Sequence, residues 1–244
     1  MADEKSKNKE FEKLFSEVQQ LRKRFLTTIA SHKIFDQFNK LIATNVVGKI
    51  KAEKNVKVFG NYVYFFSTTK EATRCYFLIE LAKFFDTLKP RNETRSIYWT
   101  LDYAKKNIYR LTKEDFLSYH DGRQIISEIF ASYKQLEITD LKKFQKRLAR
   151  NKDVIKRLKT YRDQYLAHDD IKKITVKLTV REMEVLLRIV RDVIELFYHK
   201  LEFASNSYKN FEEEPVREID RLIKNLAEHE KQRLEEIKQK YAVK

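Results

Sequence analysis

The chain has 244 residues, and only 3 are Gly and 2 are Pro. So few turn-formers leave no room for an all-β sandwich or barrel, which needs a turn residue roughly every dozen positions, or for the clustered glycines of Rossmann and P-loop enzymes. Lysine and arginine number 51 against 36 acidic residues, a net charge of +15, which points to an anionic partner with nucleic acid the leading class.

Long helices joined by short polar connections remain. The chain is 42 % hydrophobic with 17 Phe and 13 Tyr, so an aromatic core is available and disorder is not expected. The single cysteine, Cys75, excludes an intramolecular disulfide and a cysteine zinc finger. Its setting, Cys75-Tyr76-Phe77-Leu78, reads as a buried core thiol. The start of the chain carries no apolar signal region. The most apolar stretches, residues 62–66 and 75–85, fall short of the ~20 residues a membrane span needs. A cytoplasmic protein without a membrane partner is expected.

The first helix is expected over about residues 5–30, where Phe11, Leu14, Phe15, Val18, Leu21, Phe25 and Ile29 share a 3.6-period stripe. A continuation carries Ile34, Phe35, Phe38, Leu41 and Ile42. Residues 49–59, between Gly48 and Gly60, have no clear period. A second long helix covers about residues 69–88, with Ala72, Cys75, Ile79, Ala82 and Phe85 in phase and Pro90 beyond its end. Ile97, Leu101, Ala104 and Ile108 mark the next. Thr112 with Asp115 forms a capping box, and a helix follows over about residues 122–135. Thr139 or Asp140 then caps a long helix reaching toward His168. The alternation in residues 173–178 suggests a short extended piece. Thr179 with Glu182 is a second capping box, opening a helix with Leu186, Leu187, Val190, Ile194, Phe197 and Leu201 in register. Residues 205–215 read as an acidic connector. A final charged helix over about residues 216–241 carries the thin stripe Ile219, Ile223, Leu226, Leu234, Ile237 and Tyr241, a pattern of packing on a neighbour or of coiled pairing. Each Gly and Pro suits a loop or a helix end. The expected division is a helical domain over 1–204, followed by a connector and C-terminal helix over 205–244.

The charge is concentrated. Residues 141–165 hold ten basic side chains against Asp153 and Asp163, over half of the whole excess. Such a run is either a solvated helix face or a polyanion-binding one. Through the same helix runs a seam, Leu141, Phe144, Leu148, Ile155 and Leu158, with Asn151 in its polar gap. The next positions in phase are Arg162 and Tyr165. An arginine in phase with a buried stripe needs compensation by a carboxylate, a partner subunit or a bound phosphate, because an unpaired buried charge is costly. His168 stands six residues after it. His168-Asp169-Asp170 has no metal-ligand spacing, so no metal or other cofactor is expected. Residues six apart on an unbroken helix point about 120° apart. Arg162 and His168 therefore converge only if the helix ends before His168 or two chains complete one site.

The string Tyr161-Arg162-Asp163-Gln164-Tyr165-Leu166-Ala167-His168-Asp169-Asp170 resembles the HEPN superfamily motif, an Arg with a polar follower and then His after four to six residues. Its flavour is most similar to the abortive-infection AbiU-type branch. The resemblance extends over roughly residues 5–204 and implies an all-α, antiparallel helical bundle, dimerised so that two motifs face one cleft. It implies a metal-independent endoribonuclease, serving as a toxin or phage-defence component. Arg162 would contact the scissile phosphate. His168 would act as general base or acid on the 2′-hydroxyl or leaving oxygen, with an imidazole titrating near neutrality. Asp163 would orient either of them. Lys156 and Lys159 would bind RNA. Tyr161 and Tyr165 either stack a base or belong to the core. A separate antitoxin or partner protein fits the same picture. The alternatives are a non-catalytic helical module that binds RNA, nucleotide or a protein partner, and a structural helical protein that assembles through its final helix.

Overall fold

A computed structural model describes residues 8–87, 95–120, 132–166 and 176–242. Among these residues every regular element is helical, so the fold is all-α. Helix α1 (Lys9–Ile42) is followed by the short α2 (Thr44–Val47), α3 (Lys49–Asn61) and α4 (Val63–Phe84). Then come α5 (Ile97–Lys106), a 3-10 turn (Ile108–Arg110), α6 (Lys113–Tyr119), α7 (Ile138–Arg150) and α8 (Lys152–Tyr161). A π turn (Arg162–Leu166), α9 (Val180–Leu201) and α10 (Lys209–Ala242) complete the chain.

The stripe of α1 is buried as expected, but the helix does not stop near residue 30. No Gly or Pro precedes Gly48, and Phe38 and Leu41 carry the apolar phase onward, so nothing interrupts the hydrogen-bond ladder. The unassigned stretch 49–59 is helix α3. Its buried face is only Ala52, Asn55 and Val58. Asn55 Nδ2 donates to the Leu41 carbonyl at 2.7 Å, filling an acceptor that the end of α1 leaves open. A polar residue in the middle of so narrow a face hides the helical period.

Helix α4 starts and ends earlier than expected, and its buried face only partly follows the expected stripe. Ala82 and Phe85 of that stripe are inside together with Phe77, Leu78, Leu81 and Phe84, whereas Ala72 is exposed. The larger side chains bury more apolar area, so their phase prevails. Cys75 is consequently half-buried rather than a core thiol, and its Sγ donates to Glu71 Oε1 at 3.2 Å. Burial, reinforced by the Glu71 carboxylate, pushes its pKa up.

The capping boxes at Thr112 and Thr179 are both formed. At α7 the N-cap is Glu137, not Thr139 or Asp140, and Asp140 is its partner three residues on. The long helix expected to reach His168 is divided at Asn151, whose N–H donates to both the Arg147 and Leu148 carbonyls at 3.3 and 3.1 Å. The seam stays in phase across the break, with Leu141, Leu148, Ile155 and Leu158 buried. The helix expected over residues 122–135 falls mostly outside the described residues. So does the extended piece up to residue 175, and residues 176–178 have no regular structure. Helix α10 begins at Lys209, so most of the expected connector is helical and Pro215 lies inside it. That proline removes the bond to the Phe211 carbonyl, a defect of about 3 kcal/mol in a bare helix. Burial of Ile219 and Ile223 one and two turns later offsets it.

The chain forms two compact units, Met1–Phe25 with Leu78–Ser207, and Leu26–Phe77 with Tyr208–Lys244. One change of unit lies beside the expected boundary at 204/205. The other two fall inside the continuous helices α1 and α4. In the first unit α5 and α9 both pack on α7. In the second, Phe38, Leu41, Val58 and Phe66 share a core with Ile219 and Ile223 of α10.

The Thr179 cap gives a direct stability prediction. Thr179 Oγ1 accepts from the Glu182 N–H at 3.2 Å, and Glu182 Oε2 accepts from the Thr179 N–H at 2.9 Å. Arg157 also donates to Glu182. The Thr179 N–H, and after it Arg157, hold the Glu182 pKa below the usual carboxylate range. Thr179→Ala is expected to cost about 1 kcal/mol, measured as a lowered urea midpoint. The Glu182 contribution is present above the unfolded carboxylate pKa and lost as pH falls through the depressed folded value.

Candidate functional site

The site is built on the basic strip. Of its ten basic side chains, Arg147 pairs with Asp192, Arg157 with Glu182 and Lys143 with Asp140. Lys142, Lys146, Arg150, Lys152 and Lys156 are exposed and have no ion pair among the described residues. Part of the charge excess is therefore tied down, by α9 for Arg147 and Arg157 and within α7 for Lys143, and Lys142, Lys146, Arg150, Lys152 and Lys156 face outward.

Within the first unit a cleft of about 800 Å³ opens along α7 and α8. Lys152, Lys156 and Lys159, one per helical turn, line one flank. Leu101, Leu148 and Ile155 with Tyr98 form an apolar floor. Asp163 also lines it. The second carboxylate, Asp102, is paired with Lys106 at 2.7 Å. Positive charge on an apolar slot is the chemistry of a phosphate-bearing aromatic ligand.

Helix α8 gives way at Arg162 to a π turn that runs to Leu166, and His168 lies outside the described residues. Arg162 continues the seam and its side chain is 20 % exposed. Its Nη1 donates to Asp86 Oδ1 at 2.9 Å and its Nε to Asp163 Oδ1 at 2.7 Å. Lys159 Nζ lies 3.8 Å from the same Asp86 oxygen. Partial burial opposes the charge of the guanidinium, but the bonds to Asp163 and Asp86 outweigh it and push its pKa up. The compensation that the sequence demanded is thus a carboxylate of the same chain. It leaves Arg162 Nη2 without a hydrogen bond among the described residues.

Lys156, Lys159 and Asp163 meet at the cleft, and Arg162 is joined to it through Asp163. Tyr161 is half-buried on the last turn of α8 and does not line the cleft. The Tyr165 side chain and the whole of His168 lie outside the described residues. Among the described residues no group of His, Cys, Asp and Glu is placed to hold a metal ion, and no helix is long and apolar enough to cross a membrane.

Asp86 is the residue that sequence reading missed. It stands 76 positions before Arg162, just past the end of α4, in no motif. The unpaired arginine in the seam was the only signal that some carboxylate had to be there.

The model of the family HEPN_AbiU2, described as AbiU2, matches residues 9–222. The match runs past residue 204, where the motif resemblance was expected to end, and takes in the start of α10 up to and beyond the buried Ile219. No curated protein and no solved structure matches the chain.

Proposed function

The chain belongs to the AbiU2 family of HEPN proteins, and from that membership we propose that it is a metal-independent endoribonuclease of abortive infection whose active site is completed at a homodimer interface. The observation that carries the reading is the cleft lined by lysines and by Asp163, the side chain that holds Arg162. The cleft has the volume of a small-ligand pocket. Lys152, Lys156 and Lys159 are spaced to follow successive phosphates. Arg162 offers a planar, permanently charged donor set to the scissile phosphate. His168 moves the proton of the 2′-hydroxyl or of the leaving oxygen. Asp163 orients the guanidinium, while Tyr161 precedes the arginine and Tyr165 lies between it and the histidine. A separate antitoxin is the partner such a toxin requires.

One observation favours a second reading. Arg162 is already neutralised by Asp86 and Asp163, which suits a non-catalytic module that binds RNA, nucleotide or protein through the lysines alone. Incubation of the purified chain with RNA in EDTA separates the two. The ribonuclease cleaves, and His168→Ala lowers the rate by about 10²- to 10⁴-fold. Intact RNA with salt-sensitive binding leaves the binding module. In either case Lys152→Ala/Lys156→Ala should reduce the slope of log K against log salt by about 1.4 on single strands. No RNA binding at low salt rejects the ribonuclease and the RNA-binding form of the module.

A further inference from the structure

Arg162 and Lys159, the two cations nearest the scissile position in the ribonuclease reading, both aim at one oxygen. Arg162 Nη1 donates to Asp86 Oδ1 at 2.9 Å, and Lys159 Nζ stands 3.8 Å from the same atom. The three side chains are 20 %, 21 % and 22 % exposed, for Arg162, Lys159 and Asp86, so salt screens their attraction less than it would at the open surface. Thr87, the residue after Asp86, lines the cleft together with Lys159 and Asp163. The carboxylate therefore stands beside the cleft wall, on backbone whose Asp86 N–H donates to the Lys83 carbonyl at 3.2 Å.

The balance of charge says what this arrangement does. Arg162 and Lys159 bring two positive charges, and Asp86 and Asp163 two negative ones, so the cluster has none to spare for a phosphodiester. Withdrawal of one carboxylate leaves a single positive charge, which matches one phosphodiester. Asp163 bonds Arg162 at Nε, whereas Asp86 meets both cations. An anionic oxygen held between an arginine and a lysine is the setting of a bound phosphate oxygen. We propose that Asp86 stands in for the scissile phosphate in the free protein and that the RNA phosphate displaces it. The proposal rests on the reading of this cleft as an RNA site. Asp86 is then a competitor of the substrate and touches no reacting atom. It weakens binding by the fraction of molecules in which it must first be moved aside, and it leaves the rate of the bound complex unchanged.

Binding of a 2′-O-methyl RNA oligonucleotide to the full chain tests this, because that probe has no free 2′-hydroxyl and is not cleaved. Asp86→Asn is expected to tighten binding about fivefold or more, the worth of one favourable ion pair. Asp102→Asn removes the same charge from the cleft lining but leaves Arg162 and Lys159 held. It measures the general effect of charge and should gain no more than about twofold. In an Arg162→Ala/Lys159→Ala background the gain from Asp86→Asn should vanish. A purely structural Asp86 predicts instead weaker binding with a lowered urea midpoint. No gain in Asp86→Asn, an equal gain in Asp102→Asn, or a gain that persists without the two cations overturns the proposal. Cleavage of unmodified RNA is read separately. RNA left intact while Asp86→Asn tightens binding removes the ribonuclease reading and keeps the competitor, and cleavage without that gain does the reverse.

Discussion

Arg162→Ala is expected to lower RNA cleavage by at least about 100-fold, the loss that follows removal of one preorganised donor to a transition-state oxyanion. Arg162→Lys should not rescue it, because an ammonium lacks the planar fork that reaches a phosphate and a carboxylate together. The decisive comparison is Asp86→Asn. A purely structural ion pair predicts that both variants lose stability and activity together. A catalytic Arg162 predicts that Asp86→Asn retains much of the activity, since the guanidinium remains next to Asp163 at 2.7 Å. Single-turnover cleavage rates, read beside urea midpoints for all three variants, decide between them. Equal loss in Asp86→Asn and Arg162→Ala would reassign Arg162 to the fold.

Phe84→Ala is expected to destabilise the protein by about 3–5 kcal/mol. Phe84 is fully buried, its ring meets Phe25 edge-on at 5.9 Å, and the Arg24 guanidinium lies 4.3 Å above it. The same arginine pairs with the buried Glu80 at 3.0 Å. Removing the ring therefore opens a cavity and exposes an ion pair that the ring shields. Against a typical total of about 5–15 kcal/mol, such a loss leaves the first unit marginal. Urea unfolding followed by far-UV circular dichroism measures it. Tyr64→Ala, at a side chain 86 % exposed, is the control and should shift stability by no more than about 0.5 kcal/mol. A Phe84→Ala loss below about 1 kcal/mol would mean that the site collapses around the deletion.

The legible and the illegible parts of the fold differ in kind. The stripes of α1 and α9 were visible because each buries many large apolar residues at one period. Helix α3 was not, because its inward face is Ala52, Asn55 and Val58. Gly60 lies in the last turn of α3, as a helix-end residue should, but Pro215 sits inside α10 against the rule for prolines, since tertiary packing outweighs a local defect of a few kcal/mol. Cys75 was misplaced because α4 offers two competing apolar phases and only its neighbours choose between them.

At the site the same distinction holds. The motif, the lysine spacing and the need for a counter-charge at Arg162 lie in one short segment, where helical periodicity fixes which residues share a face. Local order in the chain is enough to write those down. The identity of the counter-charge, the cleft floor from Tyr98 and Leu101, and the split of the ten basic residues into paired and free ones all depend on helices remote in sequence. The sequence by itself determined an all-helical, basic chain with a HEPN motif at a helix end. Only the tertiary structure decided that Asp86 meets Arg162, because a contact between residues 76 positions apart is set by how whole helices pack and not by any local period.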